Sequence, residues 1–88
     1  MMSTSTTSSR KRKRKLKIYL IDDEFNSFEH VITVLTALLP SCNTIKAESI
    51  ASITHTTGKC QIAMGTGPTI FVLYAQLKKA GLTVEMQR

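Results

Sequence analysis

Residues 17–31, KIYLIDDEFNSFEHV, contain the junction that decides the fold. The first five residues are rich in β-branched and aromatic side chains and predict a strand. The strand ends at three consecutive acids, 22–24, because repulsion and low strand propensity disfavour extended pairing there. Asn26 then predicts the N-cap of a helix, with Glu29 three residues later completing a capping box. The stretch therefore predicts a strand, an acidic turn and a capped helix in direct succession.

Two further helices follow from the periodicity of the apolar residues. The first helix extends over 27–39, since apolar residues recur at helical spacing until Pro40 ends the run. A second helix is predicted over 44–57, with Asn43 or Thr44 as its cap and Gly58 as its closing residue. The helical part of the chain is thus expected to form two consecutive helices before the next strand.

The remaining segment alternates strand and helix signals. Residues 59–64 predict a strand, Pro68 suits the first position of a third helix, and Gly81 suits its end. Residues 82–86 predict a last short strand. The order β-α-α-β-α-β predicts an α+β domain, in which a small antiparallel three-stranded sheet packs against three helices.

The charge of the chain is concentrated near its beginning. Seven of the twelve Lys and Arg residues lie within 10–17, and the other five oppose six acids, which leaves about −1 on the remainder. We expect residues 1–16 to form a disordered basic extension and residues 17–88 to form one folded domain. The basic run is compatible with a nucleic-acid-binding arm or with a charged spacer. A transit peptide is less favoured because the segment is short.

Several functional classes lack their sequence signals. No apolar run approaches the roughly 20 residues of a membrane span, and no secretory signal is expected. Cys42 and Cys60 match no metal spacing and predict reduced thiols. The chain has no HExxH motif, phosphate-binding glycine loop or nucleophile elbow. The sequence therefore predicts a protein that is not an enzyme and that holds no metal or cofactor.

The acidic junction is the most informative candidate site. The dipole of the following helix accounts for one or two acids, but not for three acids beside Phe25 and Phe28. Carboxylates next to apolar side chains suit a ligand that is cationic at one end and hydrophobic at the other, such as a free peptide N-terminus with a bulky first residue. His55 is compatible with an ordinary structural residue or with a group that binds the ammonium or a peptide carbonyl.

The string 22–31 resembles the start of the ClpS family, which are adaptors of the Clp ATP-dependent protease. Its Glu-Phe-Asn-Ser-Phe stretch is similar to the cyanobacterial and plastid branch of that family. The similarity continues to Pro40, then over 53–58 and 76–83, and covers about 17–84. The resemblance implies a non-enzymatic adaptor with the β-α-α-β-α-β fold.

The resemblance also implies ligands, partners and site residues. It implies binding of N-degrons, usually N-terminal Leu, Phe, Tyr or Trp, and their delivery to the N-terminal domain of a Clp AAA+ unfoldase of the ClpC or ClpA type. It implies that the α-amino group and first peptide unit are held by Asp22, Asp23 and His55. The implied pocket and gatekeeper positions are Asn26, Phe28, Val31, Ala51 and Leu82. The resemblance also implies that the extension contacts the unfoldase, at residues such as Arg10, Lys11 and Arg12.

The implied protein is a monomer of the cytoplasm or plastid stroma, with no membrane partner. Three departures from the family pattern bear on specificity: Asp22 replaces an Asn, Ala51 replaces a Met, and the third helix begins with apolar residues where acidic and amide residues are usual.

Three alternative functions stay open. The first is a nucleic-acid-binding module that uses the basic arm, although the acidic charge of the remaining chain argues against it. The second is an assembly domain related to the ribosomal stalk. The third is a degenerate ClpS-like protein that binds the unfoldase but not N-degrons.

Overall fold

Six helices and strands follow one another in the order that the sequence predicts. The computed structural model describes residues 15–88, so the expectations for residues 1–14 of the basic extension, including Arg10, Lys11 and Arg12, lie outside the described residues. The elements are β1 (Leu16–Ile21), α1 (Phe28–Leu38), α2 (Thr44–Thr57), β2 (Lys59–Gly65), α3 (Pro68–Lys79) and β3 (Val84–Gln87). Leu16, predicted to belong to the extension, is the first residue of β1, where it pairs with Gly65. The predicted α+β fold, with three strands and three helices, is confirmed.

The sheet places β1 at its centre. The strand order is β2-β1-β3, and both pairings are antiparallel. Ile18 lies opposite Met86 on one side and Ala63 on the other, and the register on β2 then shifts by one residue. Because side chains alternate between the two faces of a strand, Ile18 and Leu20 point to the same face, and both are buried.

The core lies between that face of the sheet and the three helices. Ile18, Leu35 and Leu77 are fully buried and come from β1, α1 and α3 respectively. The second helix contributes the small residue Ala47, which is also fully buried, and Ile50. The central strand is therefore held by pairing on both edges and by packing on its inner face.

The N-terminus of α1 differs from the prediction. Ser27, not Asn26, is the N-cap, and its Oγ accepts a hydrogen bond from the backbone N–H of His30 at 3.0 Å. The predicted capping box of Asn26 and Glu29 is therefore wrong, and the helix begins one residue later. The physical reason is that the Asn26 side chain is directed away from the helix N-terminus, since its amide nitrogen donates to Asp23 and to the Gly81 carbonyl.

The predicted ends of the second helix match the structure, whereas α1 ends at Leu38, one residue before its predicted end. The Asn43 side chain accepts from the N–H of Lys46 at 2.8 Å and caps α2. Gly58 ends that helix with φ of 98°, a left-handed conformation that glycine adopts without a Cβ penalty. The last strand begins at Val84 rather than at residue 82, because the N–H of Leu82 bonds to Leu77 at the end of α3. Residues 80–83 thus form a connection between α3 and β3.

Candidate functional site

An open cavity lies where β1 ends and α1 and α2 pass beside it. Its volume is about 300 Å³. Its lining includes seven of the eight residues predicted for ligand binding: Asp22, Asp23, Asn26, Phe28, Val31, Ala51 and His55. Leu82, the eighth, is buried in the core and is not one of the lining residues.

Asp22 is fixed by its backbone rather than by its side chain. It is the first residue after β1, and its N–H donates to the carbonyl of Gly58, where α2 ends, at 2.9 Å. His55 lies in the last turn of α2, and its Nδ1 is 3.7 Å from Asp22 Oδ1. The side chains of Asp22 and His55 are 42% and 81% exposed. The backbone bond therefore places a carboxylate and an imidazole side by side at the solvent-facing edge of the cavity.

Asp23 is held by a different kind of contact. Its Oδ1 accepts from the backbone N–H groups of Phe25 and Asn26, both at 2.9 Å, in an Asx-type turn. Its Oδ2 accepts from the side-chain amide of Asn26 at 2.8 Å and from the Thr83 hydroxyl. One carboxylate therefore fixes the turn between β1 and α1 and joins it to the connection before β3.

These hydrogen bonds set the pKa of Asp23. Desolvation by burial alone would raise it, but the bonds from Thr83, from the backbone and side chain of Asn26 and from Phe25 outweigh that effect and lower the pKa from 3.8 to about 2. Since the folded-state pKa is below the unfolded value, the ionised group stabilises the fold above about pH 4. That stabilisation is lost as the pH falls from about 4 towards 2.

We expect this titration to be measurable in the free energy of unfolding. Between pH 5 and pH 2, the wild type should lose about 1 to 2 kcal/mol more than an Asp23→Asn variant, whose side chain does not titrate, after allowance for solvent screening. Urea unfolding at a series of pH values gives the comparison. An equal loss in both proteins would show that Asp23 is not held as described.

The second helix supplies the wall of the cavity. Ala51, Thr54 and His55 are three and four residues apart, which places them on one face of α2. The Thr54 hydroxyl donates to the Ile50 carbonyl at 2.8 Å, so this buried polar group is satisfied within the helix. The small side chain of Ala51, which is 5% exposed, leaves the space that a larger residue would fill.

The first helix supplies the mouth of the cavity. Phe28 is the first residue of α1 and is 47% exposed, so its ring belongs to the surface rather than to the core. Val31 lies one turn later and is half-buried. Two lining residues, Leu20 and Thr54, were not predicted. Both positions could have been found from the sequence. Leu20 is the last inward-facing apolar residue of β1, and Thr54 lies three residues after Ala51, on the same face of α2.

Other kinds of site find little support in the part of the chain that the structure describes. No group of three or more His, Cys, Asp or Glu residues within 15–88 is arranged to hold a metal ion. Cys42 and Cys60 are free and half-buried, and burial raises the pKa of the Cys60 thiol, which disfavours its nucleophilic form. No helix within the same range is long and apolar enough to span a membrane.

The fold and the cavity define a small α+β binding domain whose site is apolar inside and acidic at its edge. A family model described as ATP-dependent Clp protease adaptor protein ClpS matches residues 11–85. The chain belongs to the ClpS family of Clp protease adaptors, as the resemblance of its sequence predicts, and it is of the cyanobacterial type.

Individual relatives agree with this assignment. The ATP-dependent Clp protease adapter protein ClpS of Thermosynechococcus vestitus is 28% identical over 68 residues, which are 77% of this chain and 72% of the relative. The protein of the same name from a Nostoc species is also 28% identical over 68 residues and is covered to 70% of its length. The structure of Agrobacterium tumefaciens ClpS2 bound to L-phenylalaninamide has a TM-score of 0.72 at 18% identity, covers 86% of this chain and 98% of that one, and has the same fold.

Proposed function

We propose that this protein is a non-enzymatic adaptor that binds proteins by a bulky hydrophobic N-terminal residue and delivers them to a Clp AAA+ unfoldase. The observation that carries the proposal is the cavity between β1, α1 and α2, which combines apolar walls with two carboxylates and a histidine. An N-terminal Leu or Phe has the complementary chemistry, because a large apolar side chain and an ammonium with three donors are attached to the same carbon. The related Agrobacterium protein was solved with L-phenylalaninamide, a ligand of that kind.

The energetics of such a ligand are sufficient for specific binding. Burying one Leu or Phe side chain contributes about 1.5 to 3 kcal/mol. Each charge-assisted hydrogen bond to the ammonium contributes about 1.5 to 3 kcal/mol before the cost of ordering. A total of about −8 kcal/mol, which corresponds to micromolar affinity, is therefore within reach of one side chain and one ammonium.

The site residues divide by chemistry in this proposal. Asp22, Asp23 and His55 provide the polar surroundings of the ammonium and the first peptide unit. The side chain of the ligand enters between Phe28 and Ala51. Leu82 takes part only through the core behind the cavity, since it is not exposed to it.

Delivery requires a partner, for which we propose the N-terminal domain of a ClpC-type unfoldase, given the cyanobacterial type of the chain. The basic extension, with Arg10, Lys11 and Arg12, is the proposed point of engagement. The protein would then act as a monomer where the unfoldase is found, in the cytoplasm or the plastid stroma.

Peptides that differ only in their first residue and in acetylation of the amine test the proposal. Leu- and Phe-initiated peptides should bind at micromolar concentration, and their acetylated forms at least 100-fold more weakly, because acetylation removes the charge and two donors. Fluorescence anisotropy gives both affinities. A protein that lacks residues 1–15 should bind the peptides as tightly as the full chain does, but should fail to deliver a Leu-initiated substrate for degradation. Equal affinity for free and acetylated peptides would exclude N-degron recognition and leave the degenerate adaptor as the better description.

A further inference from the structure

We propose that the two adjacent acids at the cavity have different tasks: Asp22 is the carboxylate that meets the cationic end of the ligand, and Asp23 is a positioning residue that holds the β1–α1 turn against the 80–83 connection. The inference rests on the proposed function and assigns roles within its site. It departs from the simplest expectation for two neighbouring carboxylates, which is that both accept hydrogen bonds from the ligand.

The acceptor capacity of Asp23 is already used. A carboxylate has about four lone-pair positions, and Asp23 accepts four hydrogen bonds. Three of these come from Phe25 and Asn26 in the turn, and the fourth comes from Thr83, which is 60 residues further along the chain. A ligand ammonium would have to displace one of these donors to bond to Asp23, and the displaced donor would lose its partner.

The bond from Thr83 is one of three side-chain hydrogen bonds that join the same two segments. The side-chain amide of Asn26 also donates to the carbonyl of Gly81 at 3.0 Å. Nε2 of His30, in the first turn of α1, is 2.9 Å from the carbonyl oxygen of Ala80. Asn26 and Phe28, which line the cavity, lie within the segment held in this way. The position of the cavity mouth therefore depends on the contacts of Asp23 and its neighbours with residues 80–83.

Asp22 presents the opposite situation. Its carboxylate accepts no hydrogen bond from the residues that the structure describes, and Nδ1 of His55 lies 3.7 Å from its Oδ1. Its backbone is fixed by the bond to Gly58, so the side chain lies at the cavity without being needed to hold the fold. Open acceptor positions on a fixed backbone are what an ammonium ligand requires.

A matched pair of neighbouring substitutions separates the two roles. Asp22→Ala should lower the preference for a free over an acetylated Leu-initiated peptide by at least 10-fold, and should leave the melting temperature unchanged within about 2 °C. Asp23→Ala should lower the melting temperature by about 5 °C or more, and should weaken binding of both peptides while changing the preference by less than about 3-fold.

Thr83→Val, which has nearly the same shape and lies outside the cavity lining, provides an independent route to the same contact. It should lower the melting temperature and weaken the binding of both the free and the acetylated peptide, without changing the preference between them. The proposal is overturned if Asp23→Ala removes the preference while Asp22→Ala keeps it, or if both alanine variants melt at the same temperature. If the wild type itself shows no preference, the proposed function fails, and the melting temperatures alone then decide whether Asp23 is the positioning residue.

Discussion

Replacing Ala51 with leucine is expected to lower the affinity for Leu- and Phe-initiated peptides by about 10-fold while the domain stays folded; the loss is partial because the family pattern has a Met, which is of similar size, at this position. Ala51 is 5% exposed and forms part of the α2 wall of a cavity of about 300 Å³. Three additional carbon atoms would occupy the space proposed for the ligand side chain. Because the cavity is open, they would enter it without displacing the core, and contact with Leu20 and Val31 would stabilise the fold by up to about 0.8 kcal/mol for each buried methylene.

Peptide binding and thermal unfolding of Ala51→Leu give the two measurements that this expectation needs. Ser52→Leu is the matched control, since it adds a leucine at the next, exposed position of the same helix. The control should bind peptides as the wild type does. Undiminished binding by Ala51→Leu would mean that the ligand side chain does not enter this cavity.

Replacing Leu35 with alanine should cost about 3 to 4 kcal/mol of unfolding free energy. Leu35 is fully buried in the core, where it belongs to α1, and the loss combines the transfer of three carbons to water with the cavity left behind. A domain of this size is stable by about 4 to 11 kcal/mol. The substitution should therefore lower the melting temperature by more than about 12 °C.

Calorimetry or circular dichroism on heating measures this effect. Ile45→Ala provides the comparison, because Ile45 is also aliphatic but is 74% exposed in the first turn of α2. That variant should change the free energy of unfolding by less than about 0.5 kcal/mol. A similar, small effect of both substitutions would contradict the placement of Leu35 in the core.

The order of the helices and strands could be predicted because most boundaries carry a local signal. Asn43 caps α2, Gly58 ends it in a left-handed conformation, and Pro68 begins α3, and each of these acts on residues within one turn of itself. The composition of the cavity could be predicted to a similar extent, since Ala51 and His55 share a helix face by spacing alone. That they approach the acids after β1 was implied by the family resemblance, and the bond from Asp22 to Gly58 provides its physical basis.

The features that escaped prediction depend on residues far away in the sequence. Asn26 has the chemistry of an N-cap, but its amide bonds to a carbonyl 55 residues away, so Ser27 takes that role. Leu82 is apolar and follows the end of α3, but it belongs to the buried core cluster that residues of β1, α1 and α2 also form, instead of to the cavity. The different surroundings of Asp22 and Asp23 depend on Thr83 in the same way. Local propensities contain no information about such partners.

The central position of β1 in the sheet has a consequence for the order of events in folding. During synthesis, β1 can pair with β2 and pack against the first two helices, but its other edge stays unpaired until β3 has been made. The contact between Asp23 and Thr83 closes a loop of 60 residues, and the entropy of that closure must be overcome before the β1–α1 turn becomes rigid. In a nascent chain, the mouth of the cavity therefore reaches its final geometry only in the last step, after the segment that follows α3 has left the ribosome.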